Sequence, residues 1–238
     1  MALFALSDPH LSFSTNKPMD IFGPRWTNHT EKIYSNWSKQ VSADDLVIIG
    51  GDLSWATYLN EAKADFDFVN SLPGKKLLVK GNHDYWWESI TKLNNFAIEN
   101  NHSSISFLHN SAYVYNEYSI AGTRGWLLPS SDTFGAEDKK IYDRELIRLK
   151  LSLDMAAKLE DKTKSYTRVC VLHFPPVSPD GTADEGIMSI LLDYGVTKCI
   201  YGHLHGMSSL QAFSGSINGI DFKLTSADYL GFTPFEIT

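Results

Sequence analysis

Lys76-Leu77-Leu78-Val79-Lys80-Gly81-Asn82-His83-Asp84 decides how this chain is read. Lys76 to Val79 reads as a buried strand. It stops at Gly81 and then presents an amide, an imidazole and a carboxylate where the sheet ends. Open α/β sheets bind ligands at the carboxyl ends of their strands. Gly, Asn and Asp also favour turns, so the stretch alone reads equally well as a simple turn. Four other apolar runs that finish in the same way move the reading toward a site.

Leu3-Phe4-Ala5-Leu6 is the first of them and ends in Ser7-Asp8-Pro9-His10. In extended backbone, residues i and i+2 point to the same side, so Asp8 and His10 can converge, with Pro9 stiffening the pair. Leu46-Val47-Ile48-Ile49 ends in Gly50-Gly51-Asp52, placing Asp52 at a second tip. Val169-Cys170-Val171-Leu172 ends in His173, and Lys198 to Tyr201 ends in Gly202-His203-Leu204-His205. Of eight histidines, five (His10, His83, His173, His203, His205) stand at such tips. The others, His29, His102 and His109, lie in polar or turn contexts. A mixed set of imidazole, carboxylate and amide donors suits borderline transition metals such as Mn²⁺, Fe and Zn²⁺.

The intervening segments supply crossovers. Glu31 to Gln40, Asn60 to Leu72 and Glu88 to Asn100 read as helices, with apolar residues recurring at three and four. Residues 12–30 read as a long loop, the kind often functional in compact domains. Tyr85-Trp86-Trp87 borders the Asn82-His83 tip, and Trp86 is expected to form part of a substrate wall, since pockets are rich in aromatics. Residues 104–123 read as short strands joined at Asn110-Ser111 and Asn116-Glu117, predicting a second, partly antiparallel sheet. Residues 129–140 read as a polar loop, Tyr142 to Asp161 as the longest helix, and Ile187 to Tyr194 as a short one ending at Gly195. Ile217-Asn218-Gly219-Ile220 marks a hairpin. With no repeat or linker, residues 1–238 are expected to form a single domain.

Gly122-Thr123-Arg124-Gly125-Trp126 follows a predicted strand as the ligand-bearing turns do. A guanidinium matches phosphate oxygens with paired hydrogen bonds. Arg124 is therefore expected to hold substrate, the alternative being a partner acid such as Glu145 on the next helix.

The net charge of −7 and the lack of a basic run argue against general binding of nucleic acid or anionic membrane. Bound metal ions could still reverse the local sign for a small phosphate-bearing substrate. Cys170 and Cys199 lie in predicted strands and read as reduced, buried hydrophobes. No apolar run approaches the length of a spanning helix. The first strand starts almost at Met1, so a cytoplasmic protein without a signal peptide is expected. Nothing in the pattern sets an oligomeric state.

The ordered set Asp8-x-His10, Gly51-Asp52, Gly81-Asn82-His83-Asp84, His173, Gly202-His203-x-His205 resembles the calcineurin-like metallophosphoesterase superfamily. The resemblance implies an α/β fold, a two-sheet β-sandwich of mixed sheets flanked by helices. It also implies two transition-metal ions (Mn²⁺, Fe²⁺/Fe³⁺ or Zn²⁺) and a metal-bridging hydroxide as nucleophile. Asp8, His10 and His205 would hold one ion and Asn82, His173 and His203 the other, with Asp52 bridging. His83 would be the general acid, with Asp84 orienting its ring. Relatives that dephosphorylate proteins usually carry further Asp and Arg after Gly-Asp and Glu after Asn-His. This chain has Leu53-Ser54-Trp55 and Asp84 there, which favours a small-molecule phosphomonoester or phosphodiester. The competing expectation is a non-catalytic metal-binding scaffold of the same fold.

Overall fold

Strands that are apolar at every position need cover on both faces, which helical crossovers between parallel strands provide. The computed structural model, which describes all residues from Met1 to Thr238, has this pattern twice. The chain divides into two compact units, Met1–Phe107 with Thr225–Thr238, and Leu108–Leu224.

In the first unit, β1 (Leu3–Ala5), β2 (Leu46–Ile49), β3 (Lys75–Leu78) and β4 (Ile105–Phe107) lie parallel. The helices α1 (His29–Gln40), α2 (Lys63–Ser71) and α3 (Ile90–Glu99) make the crossovers. Their apolar faces are buried through Ile33 and Trp37, Phe66 and Val69, and Leu93. Each such side chain contributes about 1.5–3 kcal/mol of burial. The loop predicted over residues 12–30 holds two short 3-10 turns, Met19–Phe22 and Pro24–Trp26.

In the second unit, β5 (Ala112–Tyr115) and β6 (Tyr118–Thr123) form an antiparallel hairpin. The sheet continues in parallel through β7 (Thr167–Leu172) and β8 (Lys198–Tyr201) to β10 (Ile220–Leu224), with β9 (Gly215–Ile217) antiparallel at the edge. Helices α4 (Ala136–Leu159) and α5 (Glu185–Asp193), and the single turn α6 (Gly206–Ser209), complete the unit. The β9–β10 hairpin turns at Asn218 and Gly219, both with positive φ, as a two-residue turn requires. The chain then returns to the first unit as β11 (Phe235–Ile237), antiparallel to β1. The two sheets have the orders β11-β1-β2-β3-β4 and β5-β6-β7-β8-β10-β9, and both are mixed.

Two expectations are corrected. Residues 104–123 do not form one sheet: β4 joins β3 in the first, and only the β5–β6 hairpin opens the second. Helix α4 starts at Ala136, inside the expected loop. Its first turn reads as polar because Glu137 and Asp138 are acidic, yet acids suit a helix N-terminus. The Asp138 carboxylate also accepts from the Gly135 N–H at 2.9 Å and the Trp126 indole at 3.0 Å. Cys170 and Cys199 are free, fully buried and paired in register on β7 and β8. No helix is long and apolar enough to cross a membrane.

Candidate metal centre

The exits of β1 and β2 stay bonded to each other beyond the strands. Asp8 N donates to Gly51 O at 2.9 Å and His10 N to Asp52 O at 3.1 Å. This brings Asp8, His10 and Asp52 side by side. Asp8 has a carboxylate oxygen within 4.8 Å of a His10 ring nitrogen and one within 4.8 Å of an Asp52 oxygen. His10 Nε2 lies 3.9 Å from Asp52 Oδ2. The convergence is not that of an extended strand. Asp8, His10 and Asp52 have φ of 58°, 47° and 51°, in the left-handed region that costs energy for a residue with a side chain. The chain turns three side chains inward by local kinks where the sequence suggested simple alternation.

All three are buried. Two carboxylates this close and desolvated oppose each other's ionisation unless a cation lies near. With an imidazole beside them they offer the hard and borderline donors of a transition-metal site, so the residues fit a bound metal. Asp8 Oδ2 also accepts from Ser226 Oγ at 2.9 Å. Ser226 follows β10 as another strand-tip residue. Its signal, Thr225-Ser226 after the alternating stretch Ile220–Leu224, is present in the sequence but weaker than that of a histidine.

Asp84 locks the neighbouring loop. Its carboxylate accepts from the backbone N–H of Asp52 and Leu53 (both 2.9 Å), Ser54 (3.4 Å) and Gly81 (2.8 Å), and from the Trp86 indole at 3.0 Å. It thereby staples the exit of β3 to the exit of β2. Gly81 permits the approach: a Cβ there would lie 2.1 Å from Asp52 Oδ1 and 2.3 Å from Asp52 N. Asp52 Oδ1 in turn accepts from His83 N at 2.7 Å. Asn82 and His83 are left half-buried at the tip.

The His83 ring lies 5.7 Å from that of His10 and 4.6 Å from that of Trp55. Trp55 stacks on His10 at 4.9 Å and so touches both imidazoles. Sequence reading passed over it, because nothing local marks an aromatic three residues beyond Asp52 as facing the tip. Trp86 is corrected. It is 1% exposed, packs edge-on against Phe66 at 5.0 Å and belongs to the core, so it cannot form a substrate wall. Of the three adjacent aromatics, Tyr85 is the exposed one, 6.3 Å from the His83 ring.

In the second unit, His173 is buried at the end of β7, and His203 and His205 follow β8. The N–H groups of His173 and Phe174 both donate to Arg124 O at 2.9 Å, and Gly202 N donates to His173 O at 3.1 Å. These bonds hold the exits of β6, β7 and β8 together. The rings of His173 and His203 stand edge-on at 5.2 Å. His203 has φ of 73°, a fourth left-handed backbone among the candidate ligands. His205 is half-exposed, and its N–H donates to Ser208 Oγ at 3.1 Å.

Arg124 lies beside Glu145 in the second unit. Its guanidinium lies 3.5 Å from Glu145 Oε1 and stacks over the Trp126 ring at 4.4 Å. Burial lowers its pKa and Glu145 opposes that shift. Glu145 also accepts from Thr123 and Arg148. The side chain thus meets Glu145 on α4, the alternative the sequence offered, while its backbone carbonyl accepts from His173 and Phe174.

The model of the calcineurin-like phosphoesterases matches residues 1–207, the span that carries the candidate ligands from Asp8 to His205. The chain belongs to the calcineurin-like phosphoesterase family. Solved structures agree on the fold. A phosphopantetheinyl hydrolase from Mycobacterium tuberculosis is 14% identical with a TM-score of 0.60, covering 99% of this chain and 95% of that one. TT1561 of Thermus thermophilus is 14% identical with a TM-score of 0.58, covering 99% and 97%. GAP50, described as the anchor in the inner membrane complex of Plasmodium, is 13% identical with a TM-score of 0.51, covering 96% and 72%. Among curated proteins none matches the chain.

Proposed function

We propose that this phosphoesterase hydrolyses a small organic phosphoester, a monoester or a diester, at a dinuclear metal centre. The observation that carries the reading is the buried Asp8–His10–Asp52 cluster, built on left-handed backbone in the first unit. Asp8, His10 and His205 would hold one ion, Asn82, His173 and His203 the other, and Asp52 both. Bound metal ions would supply positive charge that activates water and offsets the phosphoryl oxygens.

The chain's own residues do the rest. Asp84 and Gly81 fix Asp52 and the Asn82-His83 tip in one register. His83, half-buried and walled by Trp55, donates a ring proton to the leaving oxygen as the P–O bond breaks. Trp55 restricts the tilt of that ring. A non-catalytic scaffold is the second reading, prompted by a neighbour described as an anchor. A metal-binding scaffold would keep the ligands but would have no use for His83 as a proton donor.

The deciding experiment is elemental analysis of protein incubated with Mn²⁺, together with turnover of 4-nitrophenyl phosphate and bis(4-nitrophenyl) phosphate. Two ions per chain and hydrolysis of either ester are expected. One ion or none at saturating metal removes the dinuclear centre, and two ions without turnover leave the scaffold.

A further inference from the structure

The second unit contains a cavity of about 530 Å³ whose wall includes His203. That volume lies in the range of small-molecule sites. Its sides come from the exits of β6, β7 and β8. Trp126 and Leu128 line one side, Phe174 and Val177 another, and Leu204 stands beside His203. The wall is firmly packed: the Phe174 ring lies 4.2 Å from that of His203 and 5.0 Å from that of Trp126. Ser130 and Ser178, from different loops, are hydrogen-bonded at 2.9 Å and clasp the rim. The charged residues of the lining are Asp132 and Asp180, and there is no lysine or arginine.

We propose that this cavity receives the alcohol part of the phosphoester and selects an apolar, uncharged group over a polyanionic one. This rests on the phosphoesterase reading above, in which His203, a residue of the cavity wall, is a proposed metal ligand. An aromatic or aliphatic alcohol would bury its carbon against Phe174, Leu128 and Leu204, while Gln211 serves a hydroxyl or amide. A nucleoside triphosphate would instead bring its remaining phosphates toward two carboxylates with no basic group to meet them. The Thr182 N–H keeps the Asp180 carboxyl below its usual pKa, so that charge persists at neutral pH.

The test separates the cavity from the chemistry. In the metal-free protein, 1-naphthalenemethanol should quench tryptophan fluorescence saturably, and ATP should not. In the Mn²⁺-loaded protein, 1-naphthylmethylphosphonate should inhibit at a concentration at least about tenfold below methylphosphonate, the scale expected for burying an aromatic group. Ser131→Trp, which fills the cavity, should abolish the quench and the tenfold preference while leaving inhibition by methylphosphonate unchanged. Ser130→Trp serves if Ser131→Trp does not fold. No quench in the wild-type protein, an equal response to ATP, or a preference that survives the filled cavity would overturn the proposal. A protein that binds 1-naphthalenemethanol but hydrolyses nothing with Mn²⁺ would instead overturn the phosphoesterase reading and leave the cavity as a binding site for apolar alcohols.

Discussion

Among single residues, Asp84 stands out because its carboxylate accepts from four backbone N–H groups and an indole. An asparagine can accept with one oxygen, and its NH₂ would face N–H groups that now find an acceptor. Leaving buried donors unpaired costs about 1–3 kcal/mol each. Asp84→Asn should therefore lower unfolding free energy by about 2–4 kcal/mol in denaturant titrations, and bound metal should fall with it. His83 has a different signature. His83→Asn should slow alkyl esters by about 10²–10⁴-fold, the usual worth of general acid catalysis, and 4-nitrophenyl esters much less. Equal losses on both classes would mean that the ring only binds or packs. The place of the candidate ligands, His83 and Asp84 at strand ends was readable because polar groups at the ends of apolar runs are improbable in pairs and triplets, but the bonds of Asp84 to backbone N–H groups and to the Trp86 indole were not, since its expected part was to orient the His83 ring. Trp86, Arg124 and Trp55 were not, because whether a side chain turns to the core, to a helix or to the tip depends on neighbours distant in sequence. Trp86 meets Phe66, and Arg124 meets Glu145.

Among elements, β3 shows how a buried strand can carry a charge. Lys76 is fully buried, and its Nζ donates to Leu72 O and, at 3.2 Å, to Ser104 Oγ. Burial lowers its pKa from 10.5 to about 8. Between about pH 8 and about pH 10.4 the unfolded chain keeps a proton that the folded chain has released. Stability therefore rises with pH across that window, by at most about 3 kcal/mol at about 1.36 kcal/mol per pKa unit. Lys76→Met should flatten that rise when unfolding free energy is compared at about pH 7.5 and about pH 10. A slope equal to that of wild type would show that the ammonium is solvated in the folded state. The strands, the hairpin at Asn218-Gly219 and most helices were readable from local pattern. The membership of β4 was not, since pairing with β3 is a non-local choice, and the start of α4 was hidden by first-turn acids that look like loop.

At the scale of the whole molecule, the family and two mixed sheets account for the gathering of loops, because parallel strands send their exits to one edge of each sheet. Thr225–Thr238 lies at the far end of the chain yet belongs to the first unit, supplying β11 beside β1 and Ser226 beside Asp8. Leu108–Leu224, by contrast, is continuous in sequence. On the ribosome the order of completion is therefore inverted. The second unit can close as soon as β10 emerges, while the first, synthesised earlier, must wait with the free edge of β1 exposed until Thr225–Thr238 emerge. A nascent chain stalled before Thr225 should give protease-resistant fragments from Leu108–Leu224 and rapid cleavage within Met1–Phe107. Release of the full chain should protect both. Equal protection of the two at the stall would show that the first unit closes without its last strand. Until then the exposed β1 edge is an invitation to pair with another chain, so a stall just before Thr225 leaves that edge open to aggregation.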